Sequence, residues 1–177
     1  GSSGSFFDPH VVYDPTNDRW IVCIAGDVAS NAHSGLFLAV SQTGNPTGSW
    51  WLYSLDATGN TSDFMDYPLL GFNSNWVVVT GRNFLAAGTV RPTIFTWNRA
   101  TVYAGGAATA STFTDATNSL TLAPAVTYDN SQTTEYLVCN WNGNSSGNGY
   151  VRLSSMGMAR TASPPGYIQL PPRCQAA

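Results

Sequence analysis

The stretch that decides the fold reads DPHVVYD at residues 8–14 and continues, after a short turn, as RWIVCIA at residues 19–25. Both segments are rich in β-branched and aromatic residues, which favour strands. The turn between them contains Pro15, Asn17 and Asp18, residue types that accept tight backbone geometry. The pattern therefore predicts two antiparallel strands joined by a tight turn.

The same pattern occurs twice more. It returns as DYPLLGFN at 66–73 before WVVVT at 76–80, and as APAVTYD at 123–129 before EYLVC at 135–139. An internal period of this length, filled with strand signals, is typical of β-propeller blades. The prolines that align the three repeats lie 59 and 56 residues apart, at Pro9, Pro68 and Pro124.

Each repeat has room for two further strands. In the first repeat, residues 36–41 are a short apolar run and residues 50–55 are rich in aromatic side chains. No segment shows a helical hydrophobic period of useful length, so we expect an all-β chain of about three four-stranded antiparallel blades. The predicted divisions are an N-terminal loop or tag at 1–7, blades at 8–57, 63–116 and 120–170, and a connector at 171–177.

Three blades do not close a ring, because known propellers use about four to eight. An open array would leave sheet edges and part of a central channel exposed. We therefore expect the chain to be a fragment of a larger propeller, with further blades as its partners. The alternative is a three-repeat unit that closes by association with another copy of the chain.

Charged residues are scarce. They make up 10% of the chain, the net charge is −3, and all seven basic residues are arginines. A hydrophobic content of 43% argues against disorder. Solubility must then come from Asn, Ser, Thr and Gly, as in many secreted or extracellular β-proteins. Nucleic acid is an unfavourable partner for such a chain, and no run approaches the ~20 apolar residues of a membrane span.

The turn at 41–50, SQTGNPTGSW, resembles the Asp-box of sialidase-type propellers, Ser-x-Asp-x-Gly-x-Thr-Trp. Thr43 stands in place of the Asp, and two extra residues precede Trp50. That box is structural in its family, so the resemblance implies a fold and no catalytic role. The wider chain is similar to uncharacterised bacterial secreted propeller proteins, in which a further blade usually follows. The phrases that carry this similarity lie at 8–20, 40–50, 66–71 and 82–84.

Asp8 and Asp66 are the candidate catalytic residues. Both precede the first strand of a repeat, so we expect them near one mouth of a central channel, at positions equivalent to Ala123. Hydrolysis of a glycosidic bond requires two carboxylates about 5–9.5 Å apart on either side of it. The only glutamate, Glu135, is predicted inside a hydrophobic strand. Aspartates that begin strands are more often turn and N–H-capping residues.

Asp14 and Asp18 are the candidate metal ligands. With Asn17 they form an oxygen-rich turn that could hold Ca²⁺. The segment lacks the spacing and the glycine of an EF-hand loop, and residues 15–18 form a favourable β-turn without a metal. The alternative interpretation is therefore a turn whose carboxylates accept backbone hydrogen bonds.

Trp51 and Trp141 are the candidate ligand-binding aromatics. Both fall out of phase with their core-facing neighbours, so we expect them to be exposed and able to stack on a sugar, although packing between blades is the competing interpretation. Cys23 and Cys139 fall on matching strands of different repeats and are expected to be buried thiols. Cys174 is free to pair with something outside this chain.

The function that these observations favour is a secreted or cell-surface propeller segment that binds protein or glycan without catalysis. The alternative is a glycoside hydrolase or lyase with Asp8 and Asp66 at the channel mouth. Core positions are predicted from strand alternation, at Trp20, Val22, Leu38, Val40, Val78, Ile94, Val126 and Leu137.

Overall fold

The computed structural model describes residues 5–28, 33–114, 121–140, 149–157 and 162–170. Twelve strands form three four-stranded antiparallel sheets, each with its strands in sequence order, which confirms the predicted all-β class. One helix lies within the described residues, and no described helix is long and apolar enough to cross a membrane.

The strands of the three sheets follow the three repeats. Sheet 1 contains β1 (Phe6–Asp14), β2 (Arg19–Asp27), β3 (Ser34–Ser41) and β4 (Trp50–Asp56). Sheet 2 contains β5 (Phe64–Phe72), β6 (Trp76–Phe84), β7 (Val90–Asn98) and β8 (Ser111–Thr114). Sheet 3 contains β9 (Ala123–Pro124), β10 (Glu135–Asn140), β11 (Gly149–Met156) and β12 (Ala162–Leu170).

Two local features differ from the expectation. Strand β1 begins at Phe6, inside the segment predicted to be a loop or tag, and the Phe6 ring packs edge-on against Phe37. Between β7 and β8 the chain forms a short helix, α1 (Arg99–Tyr103). Asn98 caps it by accepting the Thr101 backbone N–H at 2.9 Å, which is a local interaction that hydrophobic periodicity does not reveal.

Sheet 2 is buried on both faces. Val77 and Val79 of β6 lie in the apolar cluster shared with sheet 1, whereas Trp76 and Val78 lie in the cluster shared with sheet 3. The two clusters therefore place sheet 2 between sheet 1 and sheet 3.

The prediction of which β2 side chains face the core is wrong. Ile21 and Cys23 are fully buried against sheet 2, while Trp20 and Val22 are only half-buried on the opposite face. Trp20 belongs to that face because its indole N–H donates to the Gly44 carbonyl at 2.9 Å, which ties it to the neighbouring turn. Alternation in a strand of uniformly apolar residues does not show which face is the inner one.

Of the other predicted core residues, five are buried and one is not. Val126 is 37% exposed, because it follows the two-residue strand β9 and pairs only with Phe72 of the neighbouring sheet. The buried ones are Leu38, Val40, Val78, Ile94 and Leu137.

The first strands of sheets 2 and 3 touch directly. Phe72 donates its N–H to the Ala125 carbonyl at 3.0 Å and accepts from the Thr127 N–H at 2.8 Å, which makes a short parallel bridge. Gly71 permits this approach, since a Cβ there would lie 2.4 Å from the Ala125 carbonyl oxygen. No side chain fits between the two backbones at this point.

We expect Gly71→Ala to separate β5 from β9 and to lower the free energy of unfolding by about 2 kcal/mol, as overpacking does. Gly157→Ala is the matched control, because no atom of the described residues lies within 4 Å of a Cβ there, and it should change stability by less than about 0.5 kcal/mol. Denaturant unfolding of both variants measures the difference. Equal losses would mean that the close approach at Gly71 is not a constraint.

Candidate functional site

A cleft of about 400 Å³ lies between the first strands of sheets 1 and 2. It includes one of the predicted site residues, Asp8. Its walls come from both strands, with Asp8, Pro9 and His10 on β1 and Tyr67 and Leu69 on β5.

Two bulges shape this cleft. The register of β1 against β2 shifts between Phe7 and His10, and that of β5 against β6 shifts between Asp66 and Leu69. At each bulge the residue before a proline is left-handed, with φ of 50° at Asp8 and 60° at Tyr67. A bulge interrupts side-chain alternation and can re-aim a residue. Here both re-aimed side chains line the same cleft.

The predicted equivalence of Asp8 and Asp66 is not what the bulges show. The residue that corresponds to Asp8 is Tyr67, since both precede a proline with positive φ. Asp66 comes one residue earlier, does not line the cleft, and accepts the Tyr67 backbone N–H at 2.7 Å. Ala123 offers no carboxylate in the third sheet. Among the described residues that line the cleft, Asp8 is the one carboxylate.

The cleft also has a basic neighbour. The Arg82 guanidinium lies over the Tyr67 ring at 4.7 Å from its centroid, a cation–π contact, and it donates to the Thr121 hydroxyl. Arg82 is paired with Asp66 across the β5–β6 ladder. Tyr67 itself remains 50% exposed. The cleft therefore combines a carboxylate, an imidazole and an aromatic ring that is already covered on one side by a cation.

Asp14, a candidate calcium ligand, is engaged by protein donors. It is fully buried, and its Oδ1 accepts the N–H groups of Thr16 and Asn17 at 3.1 and 3.2 Å. Its Oδ2 accepts from the Asn17 amide at 2.7 Å, from Tyr103 Oη at 2.9 Å and from Arg99 Nη1 at 3.3 Å. This is the environment of a hydrogen-bonded turn cap rather than of an open cation site.

Asp18, the other candidate calcium ligand, contacts a different residue. Its Oδ1 accepts from the Tyr13 hydroxyl at 2.7 Å, and this hydrogen bond raises the pKa of Tyr13. Within the described residues, no group of three or more His, Cys, Asp and Glu side chains could hold a metal ion. The geometry assigns both aspartates a place in the turn between β1 and β2, and gives the calcium prediction no support.

Trp51 is 36% exposed, and it packs against the end of α1. A Cβ on Gly105 would lie 2.4 Å from the indole, and Gly105 has φ of 71°. The ring thus covers a backbone position that only glycine occupies without strain. The second predicted aromatic, Trp141, lies outside the described residues.

The cysteines behave as expected where they are described. Cys23 and Cys139 are buried and are not joined in a disulfide, and burial raises the pKa of the Cys23 thiol to about 12. A thiol with so high a pKa is a poor nucleophile at neutral pH. Cys174 lies outside the described residues.

The sequence pattern placed Glu135 in a hydrophobic strand but did not show what surrounds its carboxylate. It is fully buried at the start of β10, and neither carboxylate oxygen has a hydrogen-bond partner among the described residues. Burial raises its pKa to about 8, while the nearby Ala125 N–H, which donates to the Tyr136 carbonyl, acts in the opposite direction. When the repeats are aligned on their prolines, Trp20 and Val79 stand at the corresponding positions.

Comparison of the sequence with protein-family models gave no match, and comparison with curated proteins and with solved structures gave no significant match either.

We expect Gly105→Ala to destabilise the protein more than Gly88→Ala. Both glycines have positive φ, but no atom lies within 4 Å of a Cβ on Gly88, so that variant measures the backbone cost alone, about 1 kcal/mol. Gly105→Ala should cost at least about twice as much, because the Trp51 indole must move. In a Trp51→Ala background the two costs, measured by denaturant unfolding, should become equal. A persistent difference would place the obstruction elsewhere.

Glu135 should make the protein less stable as the pH rises. Its pKa is about 8 when folded and 4.5 when exposed, so the native state holds the proton more tightly. Its contribution is fully present below pH 4.5 and is lost by roughly 1.4 kcal/mol per pH unit between the two values. Thermal unfolding across this range should show a steeper decline for the native protein than for Glu135→Gln. Parallel profiles would contradict the assignment.

Proposed function

We propose that this chain is a segment of a secreted or cell-surface β-propeller, and that it serves as a non-catalytic assembly module. Its sheets would be consecutive blades, and the partner would be another sheet of the same construction. The support comes from the way the three sheets cover one another and from the faces that this leaves uncovered.

Each sheet has a front face, which packs on the next sheet, and a back face, which receives the previous one. The front of sheet 1 includes Ile21 and Leu38, and the back of sheet 2 includes Val79 and Phe95. The front of sheet 2 and the back of sheet 3 meet in the second apolar cluster, at Trp76, Val78, Ile94, Leu137, Cys139 and Met156. The same front-to-back packing thus occurs twice.

The observation that carries the proposal is an uncovered apolar row on the back of sheet 1. Val11, Val22, Ala39 and Leu52 are paired in register across all four strands. Val11 is 59% exposed and Leu52 is 78% exposed. Side chains of this kind at a continuous row are characteristic of an interaction surface.

The matching row of sheet 2 shows what kind of surface covers such a row. Leu70, Val79 and Phe95 are paired in register and are at most 7% exposed, because the front of sheet 1 covers them. A row of the same type on sheet 1 is therefore suited to the front of another sheet. The partner is thus identified by the packing that the molecule already uses.

The front of sheet 3 is the complementary surface. Val138 is 36% exposed and is paired in register with Leu153, which is half-buried. In a solution of this chain, the front of sheet 3 of one copy can pack on the back of sheet 1 of another. Such a contact joins two different surfaces, so it produces either a closed ring or an open chain of molecules.

The enzymatic alternative has less support. A glycoside hydrolase needs two facing carboxylates, and the cleft has Asp8 but not Asp66 among its lining residues. Hydrogen bonding of Asp66 to the adjacent Tyr67 N–H is a local structural role. The secreted or extracellular location is supported by composition alone, with few charges and no lysine.

We expect Leu52→Glu to weaken self-association, because it places a charge in the centre of the apolar row. The purified chain should sediment as oligomers that dissociate on dilution, and the variant should shift towards monomer by at least tenfold in dissociation constant. Ala87→Glu adds the same charge at an exposed turn outside both faces and should leave the association unchanged. A native chain that sediments as a monomer at all concentrations would refute self-assembly.

A further inference from the structure

The cleft between β1 and β5 has features that assembly through the sheet faces does not explain. Asp8 and Tyr67 both adopt left-handed backbone conformations, at 50° and 60°, and both precede a proline, which normally excludes such a turn of the chain. Two non-glycine residues of this type at one cleft are unusual, and strained residues cluster at ligand sites.

The charges around the cleft restrict the ligand. Asp8 would repel an anion that entered between the strands. Arg82, which covers one side of the Tyr67 ring at 4.7 Å, would repel a cation that approached the ring. A single lining carboxylate and one imidazole are also too few ligands for a divalent metal ion. A neutral ligand is therefore favoured over a charged one.

The polar groups of the cleft restrict the ligand further. The Asp8 carboxylate accepts hydrogen bonds, His10 can donate or accept, and the Tyr67 hydroxyl does both. The half-exposed Tyr67 ring and Pro9 supply apolar surface beside them. Several hydroxyl groups on a ring with one apolar side would match this combination. The volume of about 400 Å³ is sufficient for one or two such rings.

We propose that this cleft is a binding site for a neutral, polyhydroxylated ring, the chemistry of an uncharged saccharide unit. Asp8 accepts hydrogen bonds from adjacent hydroxyls, and Tyr67 packs against the apolar side of the ring. The site differs from Trp51 and Trp141, and it involves no bond cleavage. It does not depend on assembly, because both walls belong to one chain.

The test is saturation-transfer NMR of the full chain with methyl β-D-glucopyranoside, methyl β-D-galactopyranoside and N-acetylglucosamine as neutral probes. N-acetylneuraminic acid and glucosamine serve as the anionic and cationic comparisons. Asp8→Asn and Tyr67→Asn are the site variants, since asparagine tolerates positive φ and should keep both bulges. Tyr128→Asn is the control, an exposed tyrosine outside the cleft lining.

At least one neutral probe should bind saturably, and each site variant should weaken it by tenfold or more while Tyr128→Asn leaves it unchanged. Far-ultraviolet circular dichroism and the melting temperature check that the variants keep the fold. Absence of saturable binding by all neutral probes would overturn the proposal. So would equal binding of the charged probes, or binding that survives in the folded double variant Asp8→Asn, Tyr67→Asn. Because oligomeric state is measured separately, failure here leaves the assembly proposal standing, and the reverse also holds.

Discussion

Burial of sheet 2 on both faces is the constraint on which the rest of the structure depends. Strand β6 is buried without interruption from Trp76 to Gly81, so neither of its faces can be left to solvent. A sheet of this kind is stable only between two others, because burial of apolar surface on both sides is its main source of stability. Sheet 2 therefore depends on sheets 1 and 3 for its stability.

A polar cluster holds the stack together at one end. Asp14 links the turn of sheet 1 to α1 of the second repeat through Arg99 and Tyr103, and Arg99 continues to the Asn130 side chain of the third repeat at 3.1 Å. Burial and the neighbouring Asp14 raise the pKa of Tyr103, so it remains a donor. The cleft lies towards the opposite end of the first strands, where Phe7 of β1 also stacks on Phe64 of β5 with ring centroids 5.5 Å apart.

The repeats in the sequence were sufficient to predict three four-stranded sheets, because strand patterns and turn residues are local signals. The repeats were not sufficient to predict the features that depend on how the strands and sheets contact one another. The phase of β2 is set by which face sheet 2 covers, and Ile21, not Trp20, lies on that face. The alignment on prolines already places Asp8 opposite Tyr67, but the bulges and positive φ that turn both side chains into one cleft leave no clear mark in the sequence. Glu135 was placed in a hydrophobic strand, but its lack of a partner could be found only from the packing around it.

Front-to-back packing has a consequence for how such a chain could have arisen. A unit whose front fits its own back can be copied in tandem, and each new copy meets an interface that already exists. The number of units is then set by gene duplication and by the angle between successive sheets, without invention of new contacts. Within that scheme, a feature present in one copy alone, such as the buried carboxyl of Glu135 where the other copies have Trp20 and Val79, would be a change that followed duplication. It is at such positions that individual units can acquire properties that the repeat itself does not have.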